Sequence, residues 1–141
     1  MEATEFILKR YPPSKNWGSD TAVGWVAWHA SMGFMATAFN LKNKMIGVAI
    51  IRPVKNPGDG IIAYKYDENG QCLFIDLWVS DSPITSRMLC KAFSDRFGPR
   101  KQVAYLRGTE TSLRIKDYDN FKRNVNRVRK SEPFAVSYER N

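Results

Sequence analysis

Histidine occurs once in this chain, at position 29, and cysteine twice, at positions 72 and 90. Neither cysteine belongs to a CxxC pair or has a histidine nearby, so the spacing excludes a disulfide framework and a zinc site and leaves both as core thiols. No apolar run approaches the roughly 18 residues of a membrane-spanning helix. The opening MEATEFILKRYPP also lacks the apolar heart of a secretory signal. The expected compartment is a reducing cytoplasm. Repeats and low-complexity tracts are missing too, and acid is scarce: 14 Asp and Glu stand against 22 Lys and Arg, a formal charge of +8.

What is there points to a folded domain. A chain of 141 residues that is 43% hydrophobic and 13% aromatic can bury about two thirds of its unfolded surface in one core. We read residues 1–141 as one domain, with 1–11 and 131–141 at its periphery. The excess of base favours an anionic partner: nucleic acid, a phosphorylated cofactor, an acidic protein or a membrane surface. Charge alone does not choose among them.

Along the chain, Glu5 to Arg10 reads as a short strand closed by Pro12 and Pro13, and SKNWGSD as a loop. Ser19 or Asp20 caps a helix through TAVGWVAWHASM that Gly33 ends. Phe34–Leu41 and Met45–Val54 form one hairpin around Lys42, Asn43 and Lys44. IIAYKY and QCLFIDLWVS form a second around Asp67 to Gly70, which predicts four strands in an antiparallel meander. Ser82 caps the next helix, Pro83 fits its first position, and an apolar stripe from Ile84 to Phe93 leads to Gly98. QVAYLRG and SLRIKDY read as further strands, and a basic helix begins near Asp119.

The stretch FIDLWVSD places a carboxylate among strand formers. Alternation puts Phe74, Asp76 and Trp78 on one face and Ile75, Leu77 and Val79 on the other. An acid between two aromatics costs several kcal/mol, on the order of the 2 to 7 quoted for an unpaired buried polar group, unless donors, a cation or a proton compensate it. Either the strand bulges there, with backbone amides satisfying the carboxylate, or the acid has a task.

This order of helix, antiparallel meander, strand, helix and strand resembles the GNAT superfamily of N-acyltransferases, and FMATAFNLKNKMIGVAIIRPV resembles its hairpin, with Gly47 where those proteins often have glycine. FIDLWVSD and PSKNW are similar to the FIDW strand and the Asn-Trp loop of the toxin-activating lysine acyltransferases, and small GNAT-like bacteriophage proteins are similar too. The resemblance covers about residues 12–129. It implies an α+β fold with a mostly antiparallel central sheet and helices on both faces. By implication the source is a bacteriophage and the compartment its host's cytoplasm. The implied activity is acyl transfer to an amine, with acetyl-CoA or an acyl carrier protein as donor and Asp76 as base or orienting carboxylate. The family's loop histidine is replaced here by Ser14. His29 is then the remaining candidate for a proton relay; its other reading is a helix residue bonded to a carbonyl.

GNAT enzymes hold the donor's pyrophosphate in a glycine-rich loop before a helix, and the matching junction, Ser80 to Thr85, contains no glycine. The donor-binding candidates left are Ser82, Thr85, Ser86 and Arg87, by hydroxyls, amides and charge. A second candidate surface is the last helix, where Lys122, Arg123, Arg127, Arg129 and Lys130 suit phosphates or an acidic protein. Arg107, Arg114 and Lys116 precede it. Phe121, Val125 and Val128 share one face, so the same helix also reads as amphipathic with a solvated basic side. Trp17, Trp25, Trp28 and Trp78 read as core, or as a platform for a base or an acyl chain. The alternative to an enzyme is a binding protein, or a virion component, that meets a host protein or nucleic acid through its basic surface.

Overall fold

Ala3, Phe6 and Ile7 recur at helical spacing, and all three are buried. They belong to a helix, α1 (Glu2–Arg10), with Glu2 and Glu5 in its first turn and Lys9 and Arg10 in its last, a charge order that suits the helix dipole. The strand predicted for Glu5 to Arg10 is therefore corrected to a helix, and this segment, expected at the periphery, contributes Phe6 and Ile7 to a core cluster. The computed structural model describes residues 2–62, 64–106 and 112–127.

A 3₁₀ turn (Pro12–Asn16) joins α1 to α2 (Ser19–Ser31). Gly18, not Ser19 or Asp20, is the N-cap of α2. Gly33, at φ +76, ends it as expected. Strands β1 (Met35–Phe39) and β2 (Met45–Val54) form the predicted hairpin. Its turn is set by the Asn40 side chain, which accepts from the amides of Lys42 and Lys44 at 2.9 and 3.0 Å.

The second hairpin is absent among the described residues. Asp59–Ile62 form a single helical turn, α3, and residues 64–66 are not strand. The reason is topological: β3 (Cys72–Ser80) has β2 on one side and, after α4 (Pro83–Phe97), the parallel strand β4 (Gln102–Leu106) on the other. No edge of β3 remains along Cys72–Ile75 for residues 61–66. Strand β5 (Leu113–Asp117) pairs antiparallel with β4, and α5 (Tyr118–Asn126) follows, capped by Asp117. The result is an α+β, five-stranded sheet of order β1-β2-β3-β4-β5, mostly antiparallel, with three strands in the meander where four were expected.

Helices cover both faces. On one, α4 and α5 pack Leu89, Phe93, Phe121 and Val125 onto Ala49, Ile51, Ile75 and Trp78; on the other, α1 and α2 pack Phe6, Ile7 and Val26 onto Val48, Ile50, Leu77 and Val79. Gly47 lets α4 sit close, because a Cβ there would lie 2.5 Å from Thr85 Cγ2.

Candidate functional site

The carboxylate in FIDLWVSD sits on a bulge. Ile50 pairs with Leu77 and Ile51 with Ile75, so Asp76 faces no residue of β2. An extra residue shifts the alternation by one. Trp78 consequently joins Ile75 under α4 and α5, while Leu77 faces α1 and α2. The face predicted for Phe74, Asp76 and Trp78 together is corrected: the bulge sends Trp78 through to the opposite side from Asp76.

What satisfies Asp76 is a cation that the sequence also displays, in VAIIRPV. Arg52, fully buried on β2, donates from Nε to Asp76 Oδ2 at 2.7 Å and from Nη2 to Oδ1 at 2.8 Å. Its remaining reach goes to two carbonyls of the segment after β2, Gly60 at 2.7 Å and Lys65 at 2.7 Å. Gly60 is required there, since a Cβ would come within 2.3 Å of the Phe74 ring. The Tyr64 ring lies 3.5 Å from the guanidinium carbon, and Tyr64 itself holds φ +48, in the left-handed region bulky residues seldom enter. Its hydroxyl donates to His29 Nε2, while His29 Nδ1 donates to the Trp25 carbonyl at 2.7 Å. One chain of contacts thus links Asp76, Arg52, Tyr64 and His29.

The electrostatics follow from this packing. Burial lifts the Asp76 carboxyl to about 6, with the Arg52 hydrogen bonds and charge pulling the other way. Burial likewise lowers the His29 imidazole to about 4; its bond to the Trp25 carbonyl opposes that, and the Arg52 charge adds to it. The Tyr64 phenol is raised, by burial first and then by Asp76. At neutral pH the cluster holds an ionised Arg–Asp pair and a neutral imidazole whose two nitrogens are both engaged. Asp76 and His29 do not bond to each other; Tyr64 and Arg52 stand between them. Arg52, Tyr64 and Gly60 went unread in the sequence, although a lone Arg in one apolar strand opposite a lone Asp in the next is a signal for a buried pair.

Among the described residues the parallel pairing of β3 with β4 runs from Cys72 with Gln102 to Ile75 with Tyr105, next to Asp76. Tyr11 packs against the core clusters on both faces, and its phenol is raised by burial and then by the Asp76 charge. The Asp76 side chain is 8% exposed.

The donor-binding candidates separate into two places. Ser82, Thr85 and Ser86 start α4, where their groups are engaged: Ser82 Oγ accepts the Thr85 amide at 3.2 Å, the Ser86 amide goes to the Ser82 carbonyl at 3.0 Å, and Ser86 Oγ accepts from Trp78 Nε1 at 3.1 Å. Asp81 beside them is held by Arg10 of α1. Arg87 lies instead on the rim of a groove of about 420 Å³ between α4 and α5, with Lys91 and Lys122. Lys122 also borders a second, open hollow of about 500 Å³ with Arg123, Arg127 and Asp119. Lys91 is bonded to Asp95 at 2.9 Å, both exposed, a pair of little strength in water. No ion pair among the described residues engages Arg87, Lys122, Arg123 or Arg127. Arg107, Val128, Arg129 and Lys130 lie outside the described residues.

No family model, no curated protein and no solved structure matches the chain. No helix among the described residues is long and apolar enough to cross a membrane.

Proposed function

We propose that this chain is a divergent GNAT-like domain that works by holding an anionic macromolecular partner on its α4–α5 face. The observation that carries the reading is the convergence of Arg87, Lys91, Lys122, Arg123 and Arg127 on two adjoining hollows. With Asp119 on the second hollow and Asp95 paired to Lys91 the cations still outnumber the acids, and such an excess raises the local potential and draws in an opposite charge, with an affinity that falls as salt rises. A charge-reversed variant, R87E/K122E/R127E, tests it against polyglutamate and duplex DNA at low and physiological salt. Binding by the native chain that weakens with salt and is lost in the variant supports the reading; equal binding by both proteins overturns it.

A second reading, acyl transfer to an amine with Asp76 as base and His29 as relay, is favoured by one observation, the chain of contacts that links Asp76 through Arg52 and Tyr64 to His29. Against it, both Asp76 oxygens already accept from Arg52, and a general base must reach the proton it takes. Saturable binding of acetyl-CoA or of an acylated carrier protein, lost in Asp76→Ala but kept in R87E/K122E/R127E, would transfer the function to this second site.

A further inference from the structure

The groove between α4 and α5 has a feature that phosphate binding does not explain. Ile84 and Met88, one helical turn apart on α4, line it while remaining 62% and 43% exposed. Arg87 and Lys91, also one turn apart, run beside them on the same helix, and Lys122 and Asn126 form the facing wall from α5. The surface therefore has two cationic rails, Arg87 with Lys91 on α4 and Lys122 on α5, and the apolar strip runs along the outer side of the first, since Arg87 and Lys91 lie between it and Ser94, which meets Tyr118 of α5. A sugar-phosphate backbone uses the rails and leaves the strip wet; an amphipathic helix uses both.

From this arrangement we infer that the occupant is an acidic amphipathic helix of a partner protein, a deepening that rests on the anionic-partner reading above. Apolar side chains at i and i+4 along one edge of that helix cover Ile84 and Met88, and carboxylates on its adjoining face meet Arg87, Lys91 and Lys122. Charge complementarity selects the partner's sign, and a groove walled by two helices suits a third helix laid along it. The α4 helix is fifteen residues long, a length of roughly 22 Å at 1.5 Å per residue, enough to seat about four turns of a partner.

The test uses the full chain and a helix-stapled peptide bearing Leu at i and i+4 with Glu on the adjoining face. Its controls are the same peptide with Ser for Leu, and duplex DNA. Two variants are compared with the native protein: I84N/M88Q, which removes the strip and keeps the charge, and R87E/K122E, which reverses the rails. Ile84 and Met88 are exposed and Arg87 and Lys122 half-buried, and urea denaturation checks that each variant still folds. The inference expects the Leu peptide to bind, with I84N/M88Q weakening it about tenfold or more. R87E/K122E should abolish binding, and the Ser peptide should bind the native protein as weakly as the Leu peptide binds I84N/M88Q. Equal binding of the Leu peptide by native protein and I84N/M88Q overturns the helix while the anionic reading stands. DNA bound more tightly than the peptide, and indifferent to I84N/M88Q, does the same and assigns the face to nucleic acid. Failure of every probe to bind overturns both.

Discussion

Arg52 and Asp76 meet across β2 and β3 only because the strand bulges: Asp76 has no partner in the ladder, and the guanidinium takes both its oxygens at 2.7 and 2.8 Å. Neither charge is affordable alone. A buried pair gains little over an apolar replacement, but losing one partner strands the other without water.

Arg52→Met should accordingly cost about 3 to 5 kcal/mol of folding stability, as breaking one side of a buried pair does. The double change R52M/D76L should be more stable than R52M, because the stranded carboxylate is removed with its partner. Urea denaturation of the two single variants and the double closes the cycle. Simple addition of the single losses would show that the two groups are uncoupled, contrary to the geometry.

The same cluster predicts an unusual dependence on acid. Asp76 titrates near 3.8 when free and at about 6 in the fold, so the folded protein holds this proton more tightly. Its contribution is full below 3.8 and is lost as pH rises through about 6. His29 moves from 6.5 to about 4, so its contribution is full above 6.5 and is lost as pH falls towards 4. The two slopes oppose each other across the same window. His29→Gln should therefore gain stability on acidification from about 6 to 4 relative to the native chain, and Asp76→Asn should lose it. Urea midpoints across that range read both, and parallel curves for all three proteins would refute the assignment.

Tyr64 fixes the tautomer of His29. With Nδ1 donating to the Trp25 carbonyl, Nε2 is left to accept the phenolic proton. Nitrogen NMR at neutral pH should show a neutral ring protonated at Nδ1; a ring protonated at Nε2 would be inconsistent with this arrangement. Tyr64→Phe should leave a buried acceptor unmet, at about 1 to 3 kcal/mol.

Local chemistry was legible where one short segment decides the outcome. Ser82, Pro83 and Gly98 mark α4, and the single acid in FIDLWVSD announced a bulge or a task. The bulge is there, with Arg52 in place of the backbone amides that were expected to satisfy the acid. Choices made between distant segments were not legible. Residues 61–66 have the composition of a strand, but β4 arrives later in sequence and takes the β3 edge, and Arg52 draws the Gly60 and Lys65 carbonyls inward. For α1, a short apolar run fits either period; only the burial of Ala3 with Phe6 and Ile7 decides it.

Gly47 carries the last prediction, because it lies where β2 meets the start of the helix that bears the basic groove. A methyl group there would press on Thr85 Cγ2 at 2.5 Å and touch Leu89 Cδ1 and the Val79 carbonyl at 3.3 Å. Gly47→Ala should lose about 1 to 3 kcal/mol, the usual cost of overpacking a tight core. Thr85→Ser deletes the clashing methyl and keeps the hydroxyl that meets Ser82 at 3.1 Å, so the pair G47A/T85S should recover part of that loss. Recovery identifies the close approach of α4 to β2 as the reason for glycine. If G47A and G47A/T85S unfold at the same urea concentration, the methyl contact is not what excludes a side chain at this position.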